Sequence, residues 1–352
     1  MPENKRHHYV PRFYLKHFSP DGKSVSLFNC KLAKTIPVAS YKAQCYRDYF
    51  YGKDQVLEKI LAEIEGESAT TLGSIIENET LPAGARAEQL AVFLMAQHGR
   101  TPAAAALVEM IGDRMDAAFG ELTAGEDLAE EMPSFRDVDP LLLSVHLSIK
   151  AYKTLADLEA RLLMAPPACE FITSDMPVVF YNQLFAYRPR ADAASPGWLG
   201  FQLFFPIAPR LALMLFDPHV YSVAPHSPNK GFIQLTSSRD VDQLNGLQIA
   251  SAEENVYFHD RSMDVERLHR LFGKFRAAEP DVDATAMKDG ERSGLIAVQI
   301  GGVRTKLELT FIAVRTRAKK ARIAFQRQRY QPAVVRRPTV AEWRDEPAKE
   351  WE

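Results

Sequence analysis

Length and composition place this chain among ordinary globular proteins. It has 352 residues and a mass of 39.6 kDa, with 46% hydrophobic and 25% charged residues, a net charge of -2 and a mean hydropathy of -0.21. These values exclude a disordered chain, a collagen-like repeat and a miniprotein held together by disulfides. No apolar run reaches the ~18 residues that a membrane-spanning helix needs, so we expect no membrane partner.

Two further features predict a cytoplasmic location. The opening residues MPENKRHHYV contain no apolar core and no small-residue cleavage site, so they do not indicate a signal peptide. The cysteines Cys30, Cys45 and Cys169 are few and widely spaced. That pattern fits a reducing compartment, and it fits neither a disulfide framework nor a cysteine-pair metal site.

Helical patterns dominate the first half, after short strands in residues 1–50. From Val56 to Ile76, apolar residues recur at the three-and-four spacing of an amphipathic helix, with Asp54 as a candidate cap. A second helical pattern covers Arg86–Leu122, and the proline in Gly99-Arg100-Thr101-Pro102 predicts a break within it.

A third helix is predicted over Asp139–Met164, because Asp139-Pro140 supplies a cap and a proline at the first helical position. Short apolar runs typical of strands follow it. They are Cys169–Thr173, Val178–Tyr181, Phe201–Ile207, Leu211–Phe216, Val220–Val223, Phe232–Leu235 and Asn255–Phe258. Two more helices are predicted at Ser238–Glu253 and Met263–Phe275.

The C-terminal part is predicted to be a polar linker, Glu279–Arg292, followed by a hairpin. The two-glycine turn Gly301-Gly302 separates the β-rich runs Leu295–Ile300 and Val303–Val314. From Val303 to Arg337, eleven basic residues against one acidic residue give a net charge of +10, which leaves -12 for the rest of the chain. The segment therefore predicts contact either with a nucleic acid or with the acidic body of the same chain. The residues expected to bind nucleic acid are Arg304, Lys306, Arg315, Arg317, Lys319 and Lys320.

These elements predict an α+β fold, because strands and helices do not alternate regularly. A helical N-terminal half is expected to pack on a mixed strand-helix half, with a C-terminal basic β-hairpin. The predicted divisions are a single domain over residues 1–278, a basic hairpin extension over 293–337 and a tail over 338–352. Within the domain, the helical part covers about residues 54–164 and the strand-rich part about residues 168–276.

The segment from His7 to Phe18 concentrates histidines and aromatic residues. Histidine titrates near neutral pH, transfers protons and ligates metals, so His7 and His8 are candidate catalytic residues. Because successive residues of an extended chain face opposite sides, at most one of the two enters a given site. The alternative is that one ring packs and the other is solvated. The aromatic content predicts that residues 7–18 are buried against residues 165–260.

This segment, HHYVPRFYLKHF, resembles the opening signature of a bacterial family known only as domain of unknown function 4238. The resemblance continues through Gln97–Pro102 (QHGRTP), Phe171–Val178 (FITSDMPV) and Phe205–Pro209 (FPIAP). It covers approximately the first 260 residues, and Asn245 with the strand Val256–Phe258 belongs to it. It implies a family, and it implies no activity, cofactor or partner.

The blocks of this resemblance supply the remaining candidate residues. In FITSDMPV, Ser174-Asp175 follows a β-rich run, a common place for a metal ligand or a general base. The alternative is an Asx-turn in which Asp175 accepts backbone N–H groups. In QHGRTP, Gln97 and Arg100 lie at the broken helix, where Arg100 could bind a phosphate or carboxylate. Its alternative role is to bond the broken helix or pair with an acidic neighbour.

Three functional hypotheses remain open at this point. The first is a hydrolase acting on a phosphodiester or nucleic acid, with Asp175, His7 and His8 as catalytic residues. Arg100, Arg12, Gln97 and Ser174 would then bind the substrate, and a divalent metal ion is a candidate cofactor. The second is a non-catalytic module that binds nucleic acid or protein, and the third is a small-ligand binding protein. The sequence contains no GxxxxGK[ST], GxGxxG, HExxH or GxSxG motif.

Overall fold

A computed structural model describes residues 5–122, 137–186, 195–223, 231–259, 265–275, 282–289, 293–300 and 306–320. Its helices and mixed sheets confirm the α+β prediction. No helix within these ranges is long and apolar enough to cross a membrane. The described helices are α1 Arg12–Lys16, α2 Val56–Asn78, α3 Ala85–Gly99, α4 Pro102–Leu122, α5 Pro140–Lys150, α6 Ser238–Ser251 and α7 Val265–Phe275.

Local sequence signals explain several helix boundaries. The predicted break separates α3 from α4, because α4 begins at Pro102, which lacks the N–H that would continue α3. The α5 helix begins after Asp139, whose carboxylate accepts hydrogen bonds from the N–H groups of Leu141 and Leu142.

The strands form two larger sheets and three two-stranded pairs within the described residues. In chain order they are β1 Arg6–His8, β2 Ser24–Asn29, β3 Lys34–Ser40, β4 Tyr46–Asp48, β5 Glu159–Met164, β6 Thr173–Ser174, β7 Val179–Tyr181, β8 Gln202–Ala208, β9 Leu211–Phe216, β10 Tyr221–Val223, β11 Phe232–Gln234, β12 Asn255–Phe258, β13 Val282–Asp289, β14 Ser293–Ile300 and β15 Ile312–Val314. The larger sheets have the orders β11-β5-β9-β8-β7 and β3-β2-β12-β6.

The five-stranded sheet is buried on both faces. Alternate residues of β9 enter different apolar cores: Leu211, Leu213 and Leu215 join one, and Ala212, Met214 and Phe216 join the other. The first core contains buried residues of α2, α3 and α5, and the second contains residues of α6 and α7. The sequences of these strands are therefore continuous apolar runs. Such runs are typical of parallel sheets, but here every pairing except that of β11 with β5 is antiparallel.

The N-terminal segment is buried against the second half, as predicted. The Tyr14 hydroxyl donates to the carbonyl oxygen of Pro206 at 2.6 Å and lies 2.6 Å from Oγ1 of Thr173. The Tyr14 ring stacks on Phe205 with a centroid distance of 4.9 Å. Val10, Tyr14 and Phe18 are fully buried, so this segment is part of the core.

The predicted third helix is wrong in its C-terminal part. The α-helix ends at Lys150, a 3-10 turn covers Ala151–Leu155, and Glu159–Met164 is strand β5. This strand lies between β11 and β9 in the five-stranded sheet and pairs with β9 over its whole length. Pairing on both edges and burial of Leu162 and Leu163 override the helical pattern of this segment.

A C-terminal hairpin is present, and the expected strand Leu295–Ile300 is part of it as β14, but its partner strand is not the expected one. The run expected as a polar linker forms β13, which pairs with β14 in an antiparallel hairpin that lies against α4. The other expected strand, Val303–Val314, contributes only β15, and β15 pairs with β10. Gly301 to Thr305, which contain the expected turn, lie outside the described residues. The apolar residues Leu307, Leu309 and Phe311 enter the core beside α6 instead.

We predict that Gly99→Ala destabilises the protein by about 1–3 kcal/mol. A Cβ atom at Gly99 would lie 2.6 Å from Cβ of Ser148 and 2.7 Å from the carbonyl oxygen of Ser144, so α3 and α5 would have to separate. The matched control is Gly73→Ala in α2, where nothing lies within 4 Å of the added atom. Chemical denaturation should show a lower free energy of unfolding for Gly99→Ala and no decrease for Gly73→Ala, because alanine favours a helix interior. Equal stability of Gly99→Ala and the wild type would contradict the close packing.

Candidate functional site

His7 is a packed core residue. Strand β1 pairs with β4, which places His7 opposite Arg47 and His8 opposite Tyr46. The His7 ring is fully buried and stacks on Tyr51 at a centroid distance of 5.5 Å. Its Nδ1 accepts the N–H of Tyr51 at 3.0 Å. The two histidines thus face different surroundings, as the extended-chain alternation predicts, and His7 is the one whose ring packs.

His8 lies at the half-buried edge of the same strand, and its Nε2 has two neighbours. Nε of Arg12 donates to it at 3.2 Å, and the carbonyl oxygen of Lys42 lies 3.2 Å away. A neutral Nε2 accepts from Arg12, whereas a protonated Nε2 donates to Lys42. Burial lowers the pKa of His8, and the charge of Arg12 lowers it further. His8 is therefore mainly neutral at pH 7 and changes its partner when it gains a proton.

Arg100 lies at the end of α3 with its side chain only 2% exposed. Its Nε donates to the carbonyl oxygen of Tyr9 at 3.0 Å, and its Nη1 donates to Oε1 of Glu65 at 2.7 Å. Gln97, one turn earlier, donates through Nε2 to the same carbonyl at 2.9 Å. Residues at the break between α3 and α4 thus hold the backbone of the N-terminal signature. Arg100 pairs with an acidic neighbour, which was one of its alternative roles, and its other bond goes to Tyr9 rather than to the broken helix.

Two buried side-chain atoms of Arg100 and Gln97 lack hydrogen-bond partners among the described residues. They are Nη2 of Arg100, a donor, and Oε1 of Gln97, an acceptor. Glu65 connects the cluster to His8, because it pairs with Arg100 and its charge also acts on the His8 ring. We name His8, Arg12, Glu65, Gln97 and Arg100 the signature cluster.

Sequence reasoning missed Glu65, although a signal for it exists. Glu65 lies four residues after Leu61 and seven before Leu72, both of which are buried on α2. An acidic residue within an apolar stripe needs a cationic partner, because an unpaired buried charge is costly. Arg100 is that partner.

Asp175 lies at the corner between β6 and the start of β12. Its side chain is buried, and its two carboxylate oxygens accept hydrogen bonds from the backbone N–H groups of Glu253, Glu254 and Asn255 at 2.7–2.9 Å. Ser174 beside it donates to Gln248 at 2.8 Å. These contacts are those of a structural corner. Arg100 pairs with Glu65 rather than with Asp175, so this ion pair does not join Asp175 to the signature cluster.

Burial shifts the pKa values of two titratable side chains in the family-signature segments, Asp175 and His98. Burial raises the pKa of Asp175 to about 6, although its three backbone hydrogen bonds lower it. Burial lowers the pKa of His98 to about 4. The His98 ring stacks on Phe180 at 3.7 Å, and its Nδ1 lies 3.2 Å from the carbonyl oxygen of Val178. His98 is thus a neutral packing residue at pH 7.

The structure describes five of the six residues expected to bind nucleic acid, and Arg304 lies outside it. Lys306 pairs with Glu308 at 3.4 Å, and Arg315 donates through Nε to the carbonyl oxygens of Pro218 and Tyr221. Arg317, Lys319 and Lys320 are exposed on a helical stretch that begins at residue 316. The Lys306–Glu308 pair lies within the basic segment, whereas the bonds of Arg315 dock it on another part of the same chain.

A metal ligand set is not found in the described part of the chain. No group of three or more His, Cys, Asp or Glu side chains there could hold a metal ion. Two of the five residues of the signature cluster are arginines, which attract anions, and Arg12 is the one that is exposed. The exposed guanidinium group of Arg12 therefore suits an anionic ligand better than a cation.

Comparison with known proteins gives one match. The model of a family described as "Protein of unknown function (DUF4238)" matches residues 6–262. No curated protein and no solved structure matches the chain. The matched span contains the signature cluster and Asp175, and it ends before the basic segment.

We predict that Asp175→Asn destabilises the protein by about 1–3 kcal/mol at pH 7. An amide in place of the carboxylate turns an NH2 group toward backbone N–H donors, so at least one donor loses its acceptor. Denaturation of the variant should be compared with that of Asp48→Asn, whose carboxylate makes an exposed ion pair with Lys5 and contributes little. An unchanged stability of Asp175→Asn together with a lost activity would instead support a catalytic Asp175.

The stability difference between wild type and Asp175→Asn should also depend on pH. In the folded state the pKa of Asp175 is about 6, above its ordinary value of 3.8. Between these values the folded wild type binds a proton that the unfolded chain does not, so its stability rises as the pH falls from 7 to 4. The variant lacks this titration. The stability difference between wild type and variant should therefore widen toward pH 4. Thermal melts of both proteins at several pH values measure it.

Proposed function

The chain belongs to the DUF4238 family, and from the side chains that its N-terminal signature assembles we propose that it is a hydrolase acting on a phosphodiester of a nucleic acid. The observation that carries this proposal is the position of His8. Its Nε2 lies 3.2 Å from both Arg12 Nε and the Lys42 carbonyl oxygen. A half-buried neutral histidine beside an exposed arginine provides a base next to an anchor for an anion.

The first step in this proposal is binding of the phosphate. Arg12 is exposed and donates to His8 in the absence of a ligand. A phosphodiester oxygen carries a negative charge and is a stronger acceptor than an imidazole nitrogen. Arg12 therefore turns to the phosphate, and its departure frees the lone pair of His8 Nε2.

The second step is activation of water. The freed Nε2 of His8 accepts a proton from the attacking water while the water oxygen bonds to phosphorus and the P–O ester bond breaks. The leaving alkoxide takes a proton from solvent, and the protonated Nε2 donates to the carbonyl oxygen of Lys42. That carbonyl stabilises the imidazolium that forms, and the charge of Glu65 acts in the same direction. Departure of Arg12 to the phosphate also removes a charge that lowers the pKa of His8. Phosphate binding thus makes His8 a better base.

The other residues of the cluster position this base. Arg100 and Gln97 hold the carbonyl oxygen of Tyr9, the residue that follows His8, and Glu65 neutralises Arg100. His7 and Asp175 are proposed as structural supports and not as catalytic residues. The proposal includes no step on a metal ion, because the described residues offer no ligand set.

We predict that His8→Ala and Arg12→Ala each reduce hydrolysis by about 10²–10⁴-fold without loss of the fold. The rate of hydrolysis of an activated phosphodiester and of single-stranded oligonucleotides measures this, with thermal melts of each variant. His219→Ala and Arg86→Ala are the controls, because both residues are exposed and lie outside the signature cluster. Because burial lowers the pKa of His8, the acid limb of the rate profile should lie below the ordinary histidine value of 6.5. A wild type that hydrolyses neither substrate, or a His8→Ala variant with an unchanged rate, would contradict the proposal.

A non-catalytic module that binds nucleic acid is the second candidate, and a specific observation favours it. Arg317, Lys319 and Lys320 are exposed, while Ala318 between them is buried in the core. The core thus fixes a stretch that presents three cations outward. Such a surface binds a phosphate backbone without reading its sequence.

We predict that binding of single-stranded RNA, if it uses this surface, weakens steeply with salt, because each phosphate contact releases counterions. Replacing Arg317, Lys319 and Lys320 together by alanine should reduce the slope of log K against log salt by about 2. Fluorescence anisotropy at several salt concentrations measures the slope. The control variant replaces Arg86, Arg114 and Lys150, which are exposed and change the net charge equally. Equal slopes for the two variants would exclude this surface as the binding site.

A further inference from the structure

Residues 306–311 lie beside α6 and belong to no strand. They follow the family-matched span, which ends at residue 262. Their burial alternates as in an extended chain: Leu307, Leu309 and Phe311 are buried, and the residues between them are exposed. The segment resembles a bound strand whose neighbour is a helix instead of a sheet.

Side chains of α6 hold the backbone of this segment. Gln243 makes two bonds to one residue, because its Nε2 donates to the carbonyl oxygen of Glu308 at 2.5 Å and its Oε1 accepts the N–H of Glu308. One turn earlier on α6, the carboxylate of Asp240 accepts two hydrogen bonds from Thr310, one from its backbone N–H at 2.8 Å and one from its side-chain hydroxyl at 2.5 Å. These bonds replace the ladder of a sheet, and those made to the main chain do not depend on the sequence of the segment.

Further contacts select particular side chains of the segment. The Tyr181 hydroxyl accepts the N–H of Leu307 at 3.0 Å, and Arg239 pairs with the carboxylate of Glu308. Leu307, Leu309 and Phe311 belong to the same apolar core as Val241 and Leu244 of α6. Backbone clamps combined with apolar sites for alternate residues are the arrangement by which proteins recognise extended peptides.

We propose that the face of α6 bearing Arg239, Asp240 and Gln243 is a peptide-binding groove, and that residues 307–311 are its built-in occupant. Its ligand is an extended peptide with apolar residues at the first, third and fifth positions and a carboxylate at the second. The clamping residues lie within the family-matched span, whereas the occupant lies outside it. The groove is thus separable in sequence from the segment that fills it. This activity is independent of the proposed hydrolase.

The occupant is held in the same chain, so any free peptide competes with a covalently tethered one. Tethering corresponds to a high effective concentration, which normally excludes ligands in solution. Cutting the tether removes that advantage and leaves the contacts of the groove unchanged. The test therefore needs the full chain with one cleavable bond before residue 306.

In the experiment, a recognition site for a sequence-specific protease replaces residues 301–305 of the full chain, and the folded protein is cut. A fluorescent synthetic peptide covering residues 305–317 is then added, and anisotropy measures its binding. We expect saturable binding after cleavage and at least ~10-fold weaker binding before it. Gln243→Ala should weaken binding about tenfold, because two hydrogen bonds to the backbone are lost. Gln234→Ala, on the exposed side of β11, is the matched control.

Peptide variants keep the test independent of protein folding. A peptide in which Leu309 is replaced by Asp should not bind, and one in which Glu308 is replaced by Lys should bind more weakly because it faces Arg239. Equal binding of all three peptides, or no uptake of any peptide by the cut chain, would overturn the proposal. If cleavage unfolds the protein, hydrogen exchange on the intact chain replaces it. The amides of Leu307, Glu308 and Thr310 should then exchange faster than those of β8 and β9, and equal rates would make the segment a permanent part of the core.

Discussion

Burial of the Arg100 guanidinium is the constraint on which the candidate site depends. A charge that is only 2% exposed needs partners, and each partner of Arg100 comes from a different part of the chain. Tyr9 supplies a carbonyl oxygen from the N-terminal segment, and Glu65 supplies a carboxylate from α2. Because Arg100 lies at the end of α3, its pairing joins three elements at one point. Loss of the Glu65 carboxylate would leave a buried cation uncompensated, which typically costs about 3–5 kcal/mol.

In the candidate site, the residues that fix strand β1 are adjacent to His8, the residue proposed as the base. His7 packs on Tyr51, the carbonyl oxygen of Tyr9 is held by α3, and His8 between them is left at the half-buried edge. The strand is thus fixed on both sides of His8. A base that is held in this way loses little entropy when it acts, which is a general requirement of catalysis.

The sequence predicted the features that depend on local pattern. The helix break at Gly99–Pro102, the cap at Asp139 and the buried apolar strands Leu211–Phe216 and Asn255–Phe258 follow from rules that involve neighbouring residues only. Glu159–Met164 was predicted wrongly, because its pairing partners lie about fifty or more residues away.

The candidate site also combines contacts between residues close in the sequence with contacts between distant ones. His8 and Arg12 are four residues apart, and their contact can be anticipated from the signature. Glu65 and Arg100 are thirty-five residues apart, and Asp175 meets its three N–H donors almost eighty residues later. A single sequence does not reveal such pairings unless a residue violates its local pattern. Glu65 does so, because it interrupts an apolar stripe, whereas the donors to Asp175 are backbone groups and leave no trace in the sequence.

The position of Tyr14 has a consequence for the order of folding during synthesis. Its hydroxyl bonds with Thr173 and with the carbonyl oxygen of Pro206, which are 159 and 192 residues further along the chain. A ribosome that adds about 5–20 residues per second therefore needs roughly ten seconds or more to deliver these partners after Tyr14 has been made. During that interval the aromatic N-terminal segment has no native core to enter. This segment thus reaches its final contacts long after its own synthesis, and until then the nascent chain carries an exposed apolar segment that chaperones can bind.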